Sequence, residues 1–386
     1  MADKYVDEGV PFLRSQNILP FRITTDNIKF IPQSFHEKLR KSALRPGDVA
    51  VVRTGYPGTA AVVPEWLSDA NCADLVVITP GGDLDAFFLA SVFNSTWGIA
   101  SVGGRLVGAA QQHFNVGAAR RMELHVPPLL IQRKIAAILS AYDDLIENNN
   151  RRIKILDEMA QRIYREWFVN FRYPGHEDIP LVESEWGPLP EGWSIAALSD
   201  LATVTMGQSP PSSAYNGDRI GLPFHQGVGT YGEHFPRHEV YSTAGARLAY
   251  DGDILVSVRA PVGRINVADR QLILGRGLCG ISARVTPNGF LLYALRHVFR
   301  EEDSMGNGAI FKSVTKRDMS AVESVWPGIA TAEQFSGVAE PMWSEIRLLT
   351  QSTISARETR DLLLPRLISG EVDVTDLDVV CWDIAG

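Results

Sequence analysis

The first stretch that could do chemistry is GRGLCG at 275–280, a literal G-x-G-x-x-G. A dinucleotide site needs a helix straight after those glycines, so that its N-terminus meets the pyrophosphate. Here strand-like ISARV follows, and the stretch reads as a turn. No Walker A motif, HExxH or GxSxG occurs, nor the Asn- or Asp-Pro-Pro-aromatic tetrapeptide that surrounds a flipped base. Asp143 and Asp144 are adjacent on a helical stretch, point in different directions and read as solvated charge. His113, His225, His234, His238 and His297 make no metal-ligand spacing. Cys72, Cys279 and Cys381 lie far apart and form no CxxC pair, as expected of buried thiols in a reducing cytoplasm. The expectation is a chain with no catalytic residue, no metal and no cofactor of its own.

What remains is recognition. VGGRLVGAAQQHFN (102–115) is a glycine-rich loop, and glycine lets backbone approach a ligand closely. Gln111, Gln112 and His113 offer amide and imidazole groups to a base edge, with Gln suited to adenine. SMGNGAIFKSVTKRD (304–318) stands in the matching place later in the chain, with Lys312, Ser313, Lys316 and Arg317. Arg53, Arg105 and Arg259 are expected phosphate partners. A further candidate loop, TMGQSPPSSAYNG (205–217), holds Gln208, Ser209 and Tyr215.

The net charge of −8 looks unfavourable for nucleic acid, but its distribution decides. Residues 1–126 carry 12 basic and 12 acidic side chains, and 190–328 carry 13 of each. The excess acid sits in 173–189 (−4) and 329–386 (−6), with 131–172 at +2. Two neutral domains can each present a basic face, since local charge is what attracts phosphate. No run approaches the length of apolar residues a membrane span needs. A cytoplasmic protein is expected.

These residues must be positioned by elements that repeat. Gly108-Ala109 matches Gly308-Ala309 at an offset of 200, and so do Phe114 with Val314, Pro127 with Pro327, Ile146 with Ile346 and Glu158 with Glu358. Upstream the offset slips: RPGDVAVVRTGYPG (45–58) resembles YDGDILVSVRAPVG (250–263), and VPF (10–12) resembles LPF (222–224). Short β-branched runs punctuated by Gly and Pro, with helical insertions at 84–96 and 290–301, make each copy a mixed α/β (α+β) domain. YPGHEDIPLVESEWGPLPEGW (173–193) has four prolines and no helical period, and links the copies.

Each domain runs into a long helical pattern. Apolar or small residues recur at 131, 135, 138, 142, 145, 153, 156, 160, 163 and 167, with Asn149 in the gap. This is a 4-3 alternation with one four-residue insertion. The second copy follows at 335, 338, 342, 346, 349, 356, 363 and 367. A forty-residue helix is roughly 60 Å long, and one apolar seam cannot hide itself. Two equivalent seams can cover each other as an antiparallel coiled coil with pseudo-twofold internal symmetry, holding the domains apart at opposite ends. Such inverted copies suit double-stranded DNA, whose half-sites are related by an approximate dyad.

Three stretches together resemble a known family: VPPLLIQRKIAAILSAYDDLIENNNRRIKILDEMAQRIYREWFV in the centre, LPEGWSIAALSDLATVTMGQSPP opening the second copy, and LLLPRLISGEVDV near the end. They are similar to the specificity subunits of type I DNA restriction-modification systems, over nearly the whole chain. The resemblance implies two target-recognition domains, each reading half of a bipartite asymmetric site, joined by an antiparallel coiled-coil spacer. It also implies assembly with two modification subunits, which bind S-adenosylmethionine and methylate adenine, and with two ATP- and Mg-dependent restriction subunits. Glu147, Arg151, Arg152 and Arg165, on exposed helix positions, are candidates for docking such partners. A protein–protein scaffold without DNA binding is the competing reading.

The expected domains are an N-terminal target-recognition domain (1–126), a central spacer helix (127–172), a linker (173–189), a C-terminal target-recognition domain (190–328), a second spacer helix (329–370) and a tail (371–386). One departure stands out. The second copy has 33 residues from Pro190 to Leu222 before its Pro-Phe pair, whereas the first has ten before Pro11. Either the start codon is misplaced or the first recognition domain is shortened.

Overall fold

The structure is a computed structural model that describes residues 4–104, 114–301 and 313–379. The chain divides into two compact units, Met1–Arg151 with Leu349–Gly386, and Arg152–Leu348. Both boundaries fall inside the two 40-residue helices, Leu129–Phe168 and Ile329–Ile368. Each unit is therefore one strand-rich domain with part of each long helix.

In the first unit Val49–Val52 is buried at all four positions. A strand covered on both faces has no polar alternation to show. It is the middle strand of a three-stranded antiparallel sheet, between Ala60–Val62 and Leu75–Ile78. A four-stranded sheet has the order Lys29–Ile31, Val10–Leu13, Ala70–Cys72, Ala43–Leu44. Its inner pair is parallel, with Phe12 opposite Asn71 and Leu13 opposite Cys72. The helix Ala86–Asn94 starts where the Asp85 carboxylate accepts from the Phe88 N–H at 2.9 Å, satisfying one free amide of the first turn. It buries Phe88 and Val92 in one core with Ile135, Ala136 and Leu139 of the first long helix and Leu364 and Leu367 of the second.

The second unit repeats this frame. Ile254–Ser257 is again fully buried and central, here in the order Ala202–Met206, Leu278–Ala283, Ile254–Ser257, Ile265–Val267. The parallel pair returns, with Phe224 opposite Ile273 and His225 opposite Leu274. The helix Asn288–Val298 takes the place of Ala86–Asn94. Two pairings have no counterpart among the described residues of the first unit: Ala202–Met206 on Leu278–Ala283, and Ser194–Ala197 on Glu323–Trp326.

Within each unit the long helices run antiparallel. In the first, the Asn149 amide donates to the Ser352 hydroxyl at 3.1 Å, and Arg360 meets Asp143 at 2.5 Å. In the second, Arg152 meets Glu345 at 2.6 Å, and Trp167 and Phe168 stack near Phe335. The seam differs in one place from the sequence pattern: Leu145 is 43 % exposed and Ile146 buried. Heptad spacing through buried Asn149 and Ile153 selects 146, so the insertion lies further upstream.

The family-like residues are structural. Gln132 is buried; its amide donates to the carbonyls of Asp83 (2.9 Å) and Pro127 (2.8 Å) and accepts from the Asp85 N–H (2.9 Å). One side chain thus ties the first long helix to the turn before Ala86–Asn94. Phe168 packs against Phe290 at 5.0 Å, Phe335 at 5.2 Å and Trp193 at 5.7 Å. Burying such a ring is worth several kcal/mol, and Phe→Ala in a core of this kind costs about 3–5 kcal/mol.

Candidate nucleic-acid interface

The second unit gathers most of its predicted contact residues along one hydrogen-bonded edge. The chain leaving Ala202–Met206 is held by Gly207 N–H to Leu278 O and Gln208 N–H to Leu274 O, both 2.9 Å. The Ser209 hydroxyl donates to Gln226 Oε1 at 2.7 Å and accepts from the Arg276 N–H at 3.3 Å. Gly275 N–H donates to His225 O (2.8 Å) and Gly277 N–H to Gln226 O (3.0 Å). Val258 N–H then reaches Gly277 O, and Val314 N–H reaches Val258 O, each at 2.9 Å; Arg259 and Ser313 form a β-bridge.

Three glycines let these backbones stack so closely. A Cβ on Gly207 would lie 2.1 Å from Gly275 O, one on Gly275 2.6 Å from Gln226 Cα, and one on Gly277 2.6 Å from Gln226 O. The G-x-G at 275–277 is thus a packing device, and the turn closes with Leu278 N–H on Gly275 O at 3.0 Å. Arg276, Gln226, Gln208, Arg259 and Ser313 stay exposed. Lys316 and Arg317 open the helix Lys316–Ser320, also exposed, behind a Thr315–Asp318 capping box. Tyr215 does not project: its hydroxyl donates to Pro210 O at 3.0 Å and its ring stacks on Phe224 at 4.7 Å, bracing the loop. Gln226 and Arg276 are two further exposed polar residues on this edge that the sequence alone did not single out. The signal for Arg276 was present, a charged residue between two glycines in a turn.

Behind the edge lies a polar chain. Asp269 accepts from His238 Nε2 at 2.8 Å, His238 Nδ1 meets His225 Nε2 at 3.0 Å, and His225 Nδ1 meets Thr230 Oγ1 at 2.7 Å. With both rings neutral each group finds a partner: Thr230 O–H donates to His225, His225 to His238, and His238 to Asp269. Burial, reinforced by the neighbouring His238 against the pull of Asp269, lowers His225 to about 4. The chain holds the loop that carries Gln226 from beneath.

In the first unit the equivalent edge is differently charged. Phe114 N–H donates to Arg53 O at 3.0 Å, as Val314 does to Val258, and Arg53 N–H donates to Asp74 O, as Val258 does to Gly277. Arg53 therefore answers Val258, not Arg259; it is half-buried, and its Nε donates to Phe114 O at 3.2 Å. Thr54 answers Arg259, Asp74 stands at the turn of Arg276, and Val116 and Gly117 answer Lys316 and Arg317. Arg105, Gln111, Gln112, His113 and Lys312 lie outside the described residues.

Of the helix positions, Glu147 and Arg151 pair with each other at 3.1 Å and remain exposed, Arg152 is engaged by Glu345, and Arg165 is exposed. Asp143 is not simple solvated charge: desolvation raises its carboxyl, and the Arg360 hydrogen bond and charge only partly offset this. Burial pushes the Cys72 thiol, aided by Asp48 and Asp74, and the Cys279 thiol up to about 12, so neither is a nucleophile near neutral pH. Among the described residues no cluster of three or more His, Cys, Asp or Glu could hold a metal, and no single helix is long and apolar enough to cross a membrane.

A mixed domain that occurs twice, each copy continuing into a 40-residue helix, defines a protein built on an internal repeat, with exposed amide and guanidinium groups on a glycine-packed edge of the second copy. Comparison with known proteins shows what the chain is similar to. Residues 22–157 match the type I restriction modification DNA specificity domain. The chain is 27 % identical over 380 residues to a Methanocaldococcus jannaschii protein named for the specificity subunit of a type I restriction enzyme, MjaX, covering 95 % of this chain and 88 % of that one. It is 20 % identical to the HindI specificity subunit of Haemophilus influenzae, covering 90 % of each. The crystal structure of a type I restriction-modification S subunit from M. genitalium shares the fold at a TM-score of 0.61 with 12 % identity, over 95 % of this chain and 91 % of that one. Over nearly its whole length the chain is thus similar to specificity subunits of type I restriction enzymes, and residues 22–157 match their DNA specificity domain.

Proposed function

We propose that this subunit reads a bipartite, asymmetric site in double-stranded DNA, one half by each copy, and carries the modification and restriction subunits on its helices. The observation that supports the reading most directly is the edge of the second unit, where Gln226, Arg259, Arg276, Lys316 and Arg317 are exposed on a rigid, hydrogen-bonded frame. Guanidinium and amide groups on such a frame suit base edges, and the cations suit phosphate. The unlike residues at the matching positions of the first unit make the two halves of the site unlike. S-adenosylmethionine, ATP and Mg act on the partner subunits, two of each kind, and none on this chain. Glu147, Arg151 and Arg165 are the helix positions that support partner docking. Footprinting of the purified assembly tests this: two protected patches about one helical turn apart are expected, and one continuous patch overturns it.

A further inference from the structure

We infer that the second unit holds a site for a phosphate-sized oxyanion between the helix Asn288–Val298 and the long helix Leu129–Phe168, built from none of the residues of the exposed edge. The sequence sets up both walls. Tyr293, Arg296, His297 and Arg300 stand at i, i+3, i+4 and i+7, one face of a helix continued just past its last turn. Gln161, Tyr164 and Arg165 stand at i, i+3 and i+4 of the long helix. Together they line a crevice of about 120 Å³. At about 30 Å³ per water this is the room of about four waters, enough for one tetrahedral oxyanion and too little for a nucleotide.

The lining offers donors and little else. Tyr164 and Tyr293 close the crevice from beneath, and the Tyr164 ring packs on His297 at 5.8 Å. Arg296 is already engaged: it pairs with Asp157 and lies over the Tyr293 and Trp343 rings at 5.6 and 5.3 Å. Arg165 and Arg300 are exposed at the mouth, and among the described residues no carboxylate forms an ion pair with either. Arg300 donates to the His297 carbonyl at 3.3 Å. Burial, then the charges of Arg300 and Arg165, hold the His297 ring below the ordinary histidine value. A second observation points to a ligand: Tyr293 is 1 % exposed, and its hydroxyl has no hydrogen-bond partner. Such buried orphans are rare because they are costly. Cations near a helix C-terminus need no ligand, since they complement its free carbonyls. That accounts for Arg296 and His297, but not for Arg165, which comes from another helix, nor for the orphaned hydroxyl. A phosphate answers both. It only accepts hydrogen bonds, its oxygens take guanidinium groups two at a time, and it offers an oxygen to the Tyr293 O–H.

The inference rests on neither DNA reading nor subunit docking, because the full chain alone is tested. Inorganic phosphate is titrated by calorimetry at pH 7 and constant ionic strength, with acetate in parallel. One saturable phosphate site per chain is expected, weakened about tenfold or more in Arg300→Ala and in Arg165→Ala. Tyr293→Phe separates a ligand group from a merely structural one. The lost hydroxyl has no partner in the chain, so thermal stability without phosphate should hold or rise, while phosphate affinity falls about threefold or more. No saturation, affinity unchanged in both Tyr293→Phe and Arg300→Ala, or acetate binding as tightly as phosphate overturns the inference. A random-sequence duplex, titrated in saturating phosphate and in chloride of equal ionic strength, distinguishes the sources of the group. Competition that Tyr293→Phe abolishes puts a DNA backbone phosphate in the crevice, and no competition leaves the free anion as its ligand.

Discussion

Arg276 stands between Gly275 and Gly277 because the backbone of 225–227 leaves no room for a side chain on either neighbour. Its guanidinium is held out by packing, so little rotational freedom of the backbone is lost when it meets DNA. Arg276→Ala is expected to cost about 1–3 kcal/mol of affinity if it reads a base, confined to one half-site, whereas Lys316→Ala should weaken all sequences alike and lower the salt slope by about one. Titrations at two salt concentrations, with sites altered one half at a time, check both. Loss of neither affinity nor specificity in Arg276→Ala would remove that residue from the interface. His225 gives a second prediction. Its pKa is lower in the folded chain than the ordinary 6.5, so the unfolded chain binds the extra proton. Stability from the neutral ring is complete above about pH 6.5 and is lost as pH falls towards 4, in all about 3 kcal/mol. Thermal unfolding between pH 7 and 5 should show a fall that His225→Asn flattens, and an unchanged slope would refute the assignment.

At the scale of elements, the Asp143–Arg360 pair decides how the long helices hold together in the first unit. The carboxyl is raised despite its partner, which means desolvation outweighs the attraction, and a half-buried pair of this kind is costly to break from one side. Arg360→Ala should cost about 1.5–3 kcal/mol and leave a bare acid. Because the folded carboxyl titrates above its unfolded value, that variant should lose further stability as pH rises through the folded pKa. Adding Asp143→Asn should remove the extra pH dependence. Denaturant titrations at pH 5 and 7 test this, and equal losses at both would count against it. The same pair shows what sequence could and could not deliver. Helix length, the repeat and the antiparallel seam were legible, because period and self-similarity are properties of the chain alone. Burial of Asp143 was not, since it depends on Arg360, 217 residues away, and on the domain that covers both. Likewise the turn at GRGLCG was legible from the strand that follows it, but the role of Gln226 was not. Its orientation is set by Ser209 and Gly277, from two other loops.

For the whole molecule, the division of the chain inside both long helices gives the proposed spacing role a definite test. The unit boundaries fall at 151/152 and 348/349, close to where Asn149 meets Ser352 and Arg152 meets Glu345. Removing residues 146–152 together with 346–352 deletes one heptad from each helix, so the apolar seam stays in phase. Seven residues are about 10 Å of helix, or roughly three base pairs of rise. If the helices fix the interval between half-sites, the assembly should now select DNA whose central gap is shorter by about three base pairs, with each half-site word unchanged. Selection from a library of random gap lengths reads this directly. The half-site words serve as the internal control, because a merely damaged protein loses them along with the gap preference. A preserved pair of words at the original gap would mean that something other than the helices sets the interval.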